Sequence, residues 1–207
     1  AGELGGRGVV RVVGLDVDRG MLTYARARTR REGVGYVQGN AHSLPLPNGS
    51  FDGVVCHYLL LWLADPGHGV AEMARVTRPG GHVLACAEPD YGGRVDHPPE
   101  LAPLGRMQAE GLRRQGADPE MGRKLGELFV AAGLETTVGV MAGQWELSGA
   151  FAADFEAEWT MRERDLIGLC SREELDRLRG VDHQAVAVGR RMLFVPTFYA
   201  WGKKSAL

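Results

Sequence analysis

The first residues with chemical use are acids and histidines that close apolar runs. Val10, Val12, Val13, Leu15 and Val17 make residues 9–17 almost continuously apolar, as in a strand buried on both faces of a parallel sheet. Asp16 falls at the carboxyl end of this run, where open α/β sheets bind ligands, and from there it can accept both hydroxyls of a ribose. It can equally be an acid flanking the next helix, which Asp18 is placed to cap. His57 ends a second run, Phe51–His57, centred on Val54, Val55 and Cys56. Its imidazole titrates near neutrality and could orient a bound molecule or take a proton from it. A histidine satisfied by packing fits the same pattern. A third run, His82–Glu88, leads into Pro89-Asp90-Tyr91 and then Gly92-Gly93, glycines that would let a loop close over a site. His42, His68, His82 and His183 show no ligand spacing, His97 sits in a Pro-flanked loop, and Cys56, Cys86 and Cys170 lie far apart. No metal is therefore expected.

Periodic segments supply the frame for these residues. After Asp18 a helix is predicted to about Arg31, with Met21, Leu22 and Ala25 inward. A short strand covers Gly35–Gln38, and the Pro-, Asn- and Gly-rich stretch Gly39–Ser50 is a loop. The Phe51–His57 strand precedes a helix carrying Val70, Met73 and Ala74. That helix ends at the turn Arg78-Pro79-Gly80-Gly81, before the His82–Glu88 strand. Strand and helix alternation of this kind predicts an α/β fold, a doubly wound, mostly parallel sheet with helices on both faces. The second half is more helical. Leu101, Leu104 and Leu112 suit one helix. Asp118-Pro119 is a start signal for another, which carries Leu125, Leu128 and Phe129 and stops at Gly133. A strand covers Leu134–Val140. Ser148 opens a helix with Phe151, Phe155 and Trp159 on one face, Ser171–Glu174 is a capping box, and Met192–Tyr199 is the last strand.

At 207 residues with no repeat, linker or low-complexity tract, the chain reads as one domain, 1–207. A net charge of -2 gives no basic footprint for nucleic acid. Three scattered cysteines suit a reducing, cytoplasmic setting, and no apolar stretch is long enough for a membrane span.

Four segments together resemble the class I S-adenosylmethionine-dependent methyltransferases, especially their small-molecule branch. They are Val13-Gly14-Leu15-Asp16-Val17-Asp18; Gly39-Asn40-Ala41-His42-Ser43-Leu44-Pro45-Leu46-Pro47-Asn48-Gly49-Ser50-Phe51-Asp52; Val54 to Pro66; and Arg75-Val76-Thr77-Arg78-Pro79-Gly80-Gly81-His82. The resemblance covers about the first ninety residues and implies a Rossmann-like Rossmann-type sheet, S-adenosylmethionine as cofactor and methyl transfer to a small organic acceptor. It places Asp16 on the ribose, Val17 and Met21 beside the adenine, and Asn40, Ala41 and His42 at the base. The family commonly has Asp where Asn40 stands; an amide oxygen can accept the same bond, and a turn-forming Asn is the alternative. Leu44 and Leu46 would pack beneath the base. Cys56 would face the methionine end of the cofactor, His57 would be the catalytic group, and Tyr58, Asp90 and Tyr91 would touch the acceptor. Trp145 and the Phe151, Phe155 and Trp159 stripe could line the acceptor site or simply pack.

Methyl transfer from a sulfonium needs positioning more than a catalytic triad, and no triad is visible. Two other functions remain open. A nicotinamide-dependent oxidoreductase would use Asp16 equally well, though no catalytic Tyr/Lys spacing is present. A non-catalytic remnant or partner-binding protein of the same fold is the second. The family's first strand and glycine-rich turn have no counterpart before Val9, since Ala1–Gly8 reads as a helix end and its turn. The chain is accordingly expected to leave two strands without a neighbour, to bind S-adenosylmethionine weakly or not at all, and to be prone to aggregation.

Overall fold

The computed structural model describes residues 11–29, 31–141, 143 and 152–206. Strand β1 (Val12–Asp16) leads into α1 (Arg19–Arg28), capped by the Asp18 carboxylate, which accepts from Gly20 N–H at 2.6 Å and Met21 N–H at 3.3 Å. Helix α1 buries Leu22. Strand β2 (Val34–Gln38) runs parallel to β1, with Gln38 opposite Asp16. The loop from Gly39 leads to β3 (Phe51–His57), a 3-10 turn at Leu60–Trp62, α2 (Pro66–Val76) and β4 (Thr77–Pro89). The Arg78–Gly81 turn expected before β4 is absorbed into the strand as an irregularity. Gly80 takes φ 75° and the register with β3 shifts between Phe51 and Gly53.

The second half contributes β5 (Val95–His97), α3 (Ala102–Arg114), α4 (Leu125–Ala131), β6 (Leu134–Met141), α5 (Ala152–Asp165), α6 (Arg172–Ala187), β7 (Met192–Phe194) and β8 (Thr197–Lys204). Asp118 does not cap α4. Its carboxylate accepts from Glu120 N–H and Lys124, and a 3-10 turn at Met121–Lys124 intervenes. The expected last strand is two strands parted at Val195-Pro196, because proline brings no N–H to a ladder. Its first part, β7, pairs antiparallel with β5. The expected helix start at Ser148, the side chains of Trp145 and Phe151, and the Ala1–Gly8 segment lie outside the described residues.

Strands β3 and β4 are parallel, and β8 runs antiparallel between β4 and β6. With the parallel pair β1–β2 and the flanking helices, this is the α/β pattern that the alternation predicts. Among the described residues β1–β2 forms a sheet of its own, so one edge of β1 and one edge of β3 face no described strand.

The core lies on one face of the four-stranded sheet. Val54, Cys56, Val83, Ala85 and Ala200 point into it, against Val70, Met73 and Ala74 of α2 and Leu125 and Phe129 of α4. A second cluster joins Leu104 of α3, Phe155 and Trp159 of α5, and Leu175 and Leu178 of α6. In the chain these helices follow the loop that opens with Asp90, and the ribbon β5–β7 packs against α3.

Candidate functional site

Two groups of candidate residues sit at strand ends. The first is at the carboxyl end of β1–β2. One Asp16 carboxylate oxygen accepts from Asp18 N–H at 2.8 Å, which orients the group while leaving its other oxygen without a hydrogen bond among the described residues. Val17 is 68 % exposed and Met21 55 %, so neither is a core residue. Gly39 N–H donates to Asp16 C=O at 3.0 Å and Gln38 Nε2 to Val17 C=O at 3.0 Å, which set the segment Gly39–His42 beside Asp16.

In that segment Asn40 closes a turn on itself. Its Oδ1 accepts from His42 N–H at 2.9 Å and lies 3.2 Å from His42 Nδ1, and its carbonyl accepts from Ser43 N–H at 2.9 Å. The turn-forming alternative for Asn40 is therefore the geometry observed. His42 Nε2 accepts from Asp65 N–H at 3.2 Å, so both ring nitrogens of His42 serve the loop. The turn consumes the N–H groups of His42 and Ser43 and leaves that of Ala41 without a partner among the described residues. Leu44 is partly buried and packs against the main core.

The second group surrounds the ends of β3 and β4. His57 is exposed, with no hydrogen bond among the described residues. Cys56, its neighbour, is 7 % exposed and turns the opposite way into the core, because side chains alternate along a strand. The Cys56 side chain packs as a small hydrophobe, and burial pushes its thiol far up, so only its backbone is left to meet a ligand at the strand end. Tyr58 and Ala87 both have left-handed backbones, φ 52° and 60°. Such residues cost about 1–3 kcal/mol each and persist where surroundings hold them.

The holding group is Glu88. It is fully buried, and its carboxylate accepts from Leu59 and Leu60 N–H at 2.9 Å and from Leu61 N–H at 3.1 Å. Burial pushes the Glu88 carboxyl up, while these three donors and nearby His57 pull it back down. Sequence reasoning passed over Glu88, although a glutamate inside an apolar strand is a signal that it needs buried partners.

Asp90 is 4 % exposed and bound by Arg123 through Nε and Nη2, both at 2.7 Å, and by Gly92 N–H at 2.9 Å. It braces the loop after β4. Tyr58 and Tyr91 lie close enough to influence each other's ionisation, and Arg94 lies 5.7 Å from the Tyr91 ring centre. Burial first, then neighbouring Tyr91 and Glu88, pushes Tyr58 up to about 12. Both phenols therefore stay protonated near neutral pH. Asp165, at the end of α5, approaches the same pair and is raised by its own burial. Among the described residues, no cluster of three or more His, Cys, Asp or Glu side chains could hold a metal ion.

An α/β sheet of parallel pairs flanked by helices, with Asp16 and His57 at its carboxyl edge, defines the class of the chain as Rossmann-like. The comparisons with known proteins then narrow it. The family described as a methyltransferase domain matches residues 1–85. An uncharacterised protein of a Streptomyces fradiae transposon is 35 % identical over 127 residues, 59 % of this chain and 36 % of that protein. An uncharacterised methyltransferase of Schizosaccharomyces pombe is 28 % identical over 176 residues, 80 % of this chain and 62 % of that one. A Bacillus halodurans protein assigned as a methyltransferase superposes with TM-score 0.63 at 18 % identity, over 94 % of this chain and 83 % of its own. A phosphoethanolamine N-methyltransferase of Haemonchus contortus, solved with S-adenosylhomocysteine, gives 0.56 at 18 %, over 95 % and 44 %. Residues 1–85 thus match a methyltransferase domain, and the fold is similar to that of S-adenosylmethionine-dependent methyltransferases. The chain spans about a third and about three fifths of the lengths of the two curated relatives.

Proposed function

We propose that this chain carries the cofactor and acceptor edges of an enzyme that transfers a methyl group from S-adenosylmethionine to a small organic acceptor, in the cytoplasm. The observation that carries the cofactor reading is the group at the end of β1–β2. A half-satisfied carboxylate at Asp16 suits ribose hydroxyls, the exposed side chains of Val17 and Met21 suit a flat base, and the Ala41 N–H, without a partner among the described residues, suits a ring nitrogen. These residues fit the adenosine half of the cofactor by their donor and acceptor chemistry. When bound, the cofactor supplies an electrophilic methyl group on a sulfonium.

The chain's own residues would bind, orient and exclude water. His57, exposed at the end of β3, would face the acceptor and take its proton if the acceptor must lose one. Tyr58 and Tyr91 would offer neutral phenols as contacts, since both resist ionisation. Asn40 and His42 would act by shaping the loop that presents Ala41, not by direct contact through the Asn40 oxygen.

S-adenosylhomocysteine titrated into the 207-residue chain, followed by saturation-transfer NMR up to millimolar ligand, tests this reading. Binding is expected, weak in absolute terms, and Asp16→Ala should weaken it by about tenfold or more as charge-assisted bonds to ribose are lost. Absence of any binding, or equal binding by Asp16→Ala, would overturn the cofactor reading.

A further inference from the structure

The structure assigns to Glu72 and Arg75 of α2 a role no motif gave them: we infer that this pair is a clasp that positions the loop Asn40–Asn48, and with it the adenine contact at Ala41. The inference rests on the cofactor reading above. The loop runs from Gly39 to Ser50 with no regular structure beyond one isolated bridge between Asn40 and Ser43. A segment of that kind needs outside partners to hold one shape.

Arg75 provides them with its whole fork. Nε donates to Glu72 Oε1 at 2.6 Å and Nη2 to Glu72 Oε2 at 2.8 Å. Nη2 also donates to Leu44 C=O at 2.9 Å, and Nη1 to Leu46 C=O at 3.0 Å and Asn48 Oδ1 at 2.5 Å. These bonds occupy all the donors a guanidinium has. Glu72 Oε2 completes the clasp by accepting from Leu44 N–H at 2.8 Å. Both polar groups of the Leu44 backbone are thereby tied to one turn of α2. The pair is partly buried, with side-chain exposures of 31 % for Arg75 and 16 % for Glu72.

A simple structural tie would stop there, but the clasp has a second anchor nearer the site. His42 takes Asp65 N–H, just before α2, while its other nitrogen faces Asn40. Helix α2 therefore grips the loop at His42, Leu44, Leu46 and Asn48, immediately after the turn that leaves Ala41 N–H without a partner among the described residues. Lysine cannot replace Arg75 here, because a single ammonium cannot reach a carboxylate, two carbonyls and an amide at these angles.

Three variants of the 207-residue chain test the inference: Glu72→Gln, Arg75→Lys and Arg75→Ala. The readouts are hydrogen exchange of residues 40–48 and the dissociation constants of adenosine and S-adenosylhomocysteine. Faster exchange is expected in that segment, with a matching loss of about tenfold in affinity for both probes, since both depend on the base contact. Glu72→Gln keeps size and one acceptor, so it should be intermediate and stay folded if Arg75→Ala does not. Asp16→Ala should weaken binding without changing exchange at 40–48. Faster exchange with unchanged affinities would reduce the clasp to a structural tie and overturn the inference, as would unchanged exchange. A parent chain that binds neither probe would instead overturn the cofactor reading, and the inference with it.

Discussion

At Glu88 three backbone N–H groups converge on one buried carboxylate, and its removal leaves all three without an acceptor. Each such orphan costs about 1–3 kcal/mol, so Glu88→Ala should lose about 3 kcal/mol or more in denaturant unfolding. Glu88→Gln should lose less, because an amide oxygen still accepts two. Buried Glu88 and partly buried Glu72 also pull the pH dependence of stability in opposite directions. Glu88 is raised above 4.5 by burial, so its contribution is full below that value and fades as pH climbs through the raised one. Glu72 is lowered, chiefly by its bond to Arg75, so its contribution is present above 4.5 and is lost as pH falls through the lowered value. Glu72→Gln should therefore flatten the acid limb of a stability–pH curve, and an unchanged limb would deny the Glu72–Arg75 bond. His57 is the opposite kind of residue. Being exposed and unbonded, His57→Ala should leave unfolding free energy within about 0.5 kcal/mol. Turnover, once an acceptor is in hand, should fall more than cofactor affinity. A clear loss of stability would restore the packing explanation for this histidine.

Elements were more legible than contacts. Strand β3 runs Phe51–His57 as its apolar run predicts, and Ser171 caps α6 by accepting from Glu174 N–H at 3.1 Å. Both signals are local, so sequence carries them whole. Which way Cys56 turns was not legible, because strand parity alone decides its face: Val54 and Cys56 share one side, His57 the other. The ion pair of Asp90 was not legible, because Arg123 lies 33 residues away and nothing near Asp90 announces it. The same limit hid the brace between α5 and α6. There Asp182, 1 % exposed, accepts from Trp159 Nε1 at 2.8 Å, Arg162 at 3.0 Å and Arg191 at 2.7 Å, while Glu158 answers both arginines. Removing one member of a buried ionic network strands the others. Asp182→Ala should cost about 3–5 kcal/mol. Loss of near-ultraviolet ellipticity from Trp159 should accompany it, and a stable variant would mean that water or repacking satisfies the arginines.

For the molecule as a whole, the two faces of the four-stranded sheet are unequal. One is sealed by α2 and α4. On the other, Val55 is 53 % exposed, Met141 47 %, Trp201 49 % and Tyr199 37 %, with Tyr199 paired across to Gly139 and Trp201 held only by His82 Nδ1 at 3.0 Å among the described residues. Val55 lies on β3, whose far edge also faces no described strand. An apolar sheet face that meets an open edge is the surface through which chains pair and stack. Preparations of the 207-residue chain should therefore self-associate at micromolar concentration, with sedimentation coefficients that rise on loading. Lysines set on that face should oppose pairing through charge and a hydrated head, as they do on natural edge strands. The double variant Val55→Lys and Met141→Lys should sediment as a monomer at the same loading while keeping its unfolding transition, because neither side chain is buried in the core. A parent chain that is monomeric at every concentration, or a double variant that associates as before, would show that this face and edge do not govern how the molecule meets others.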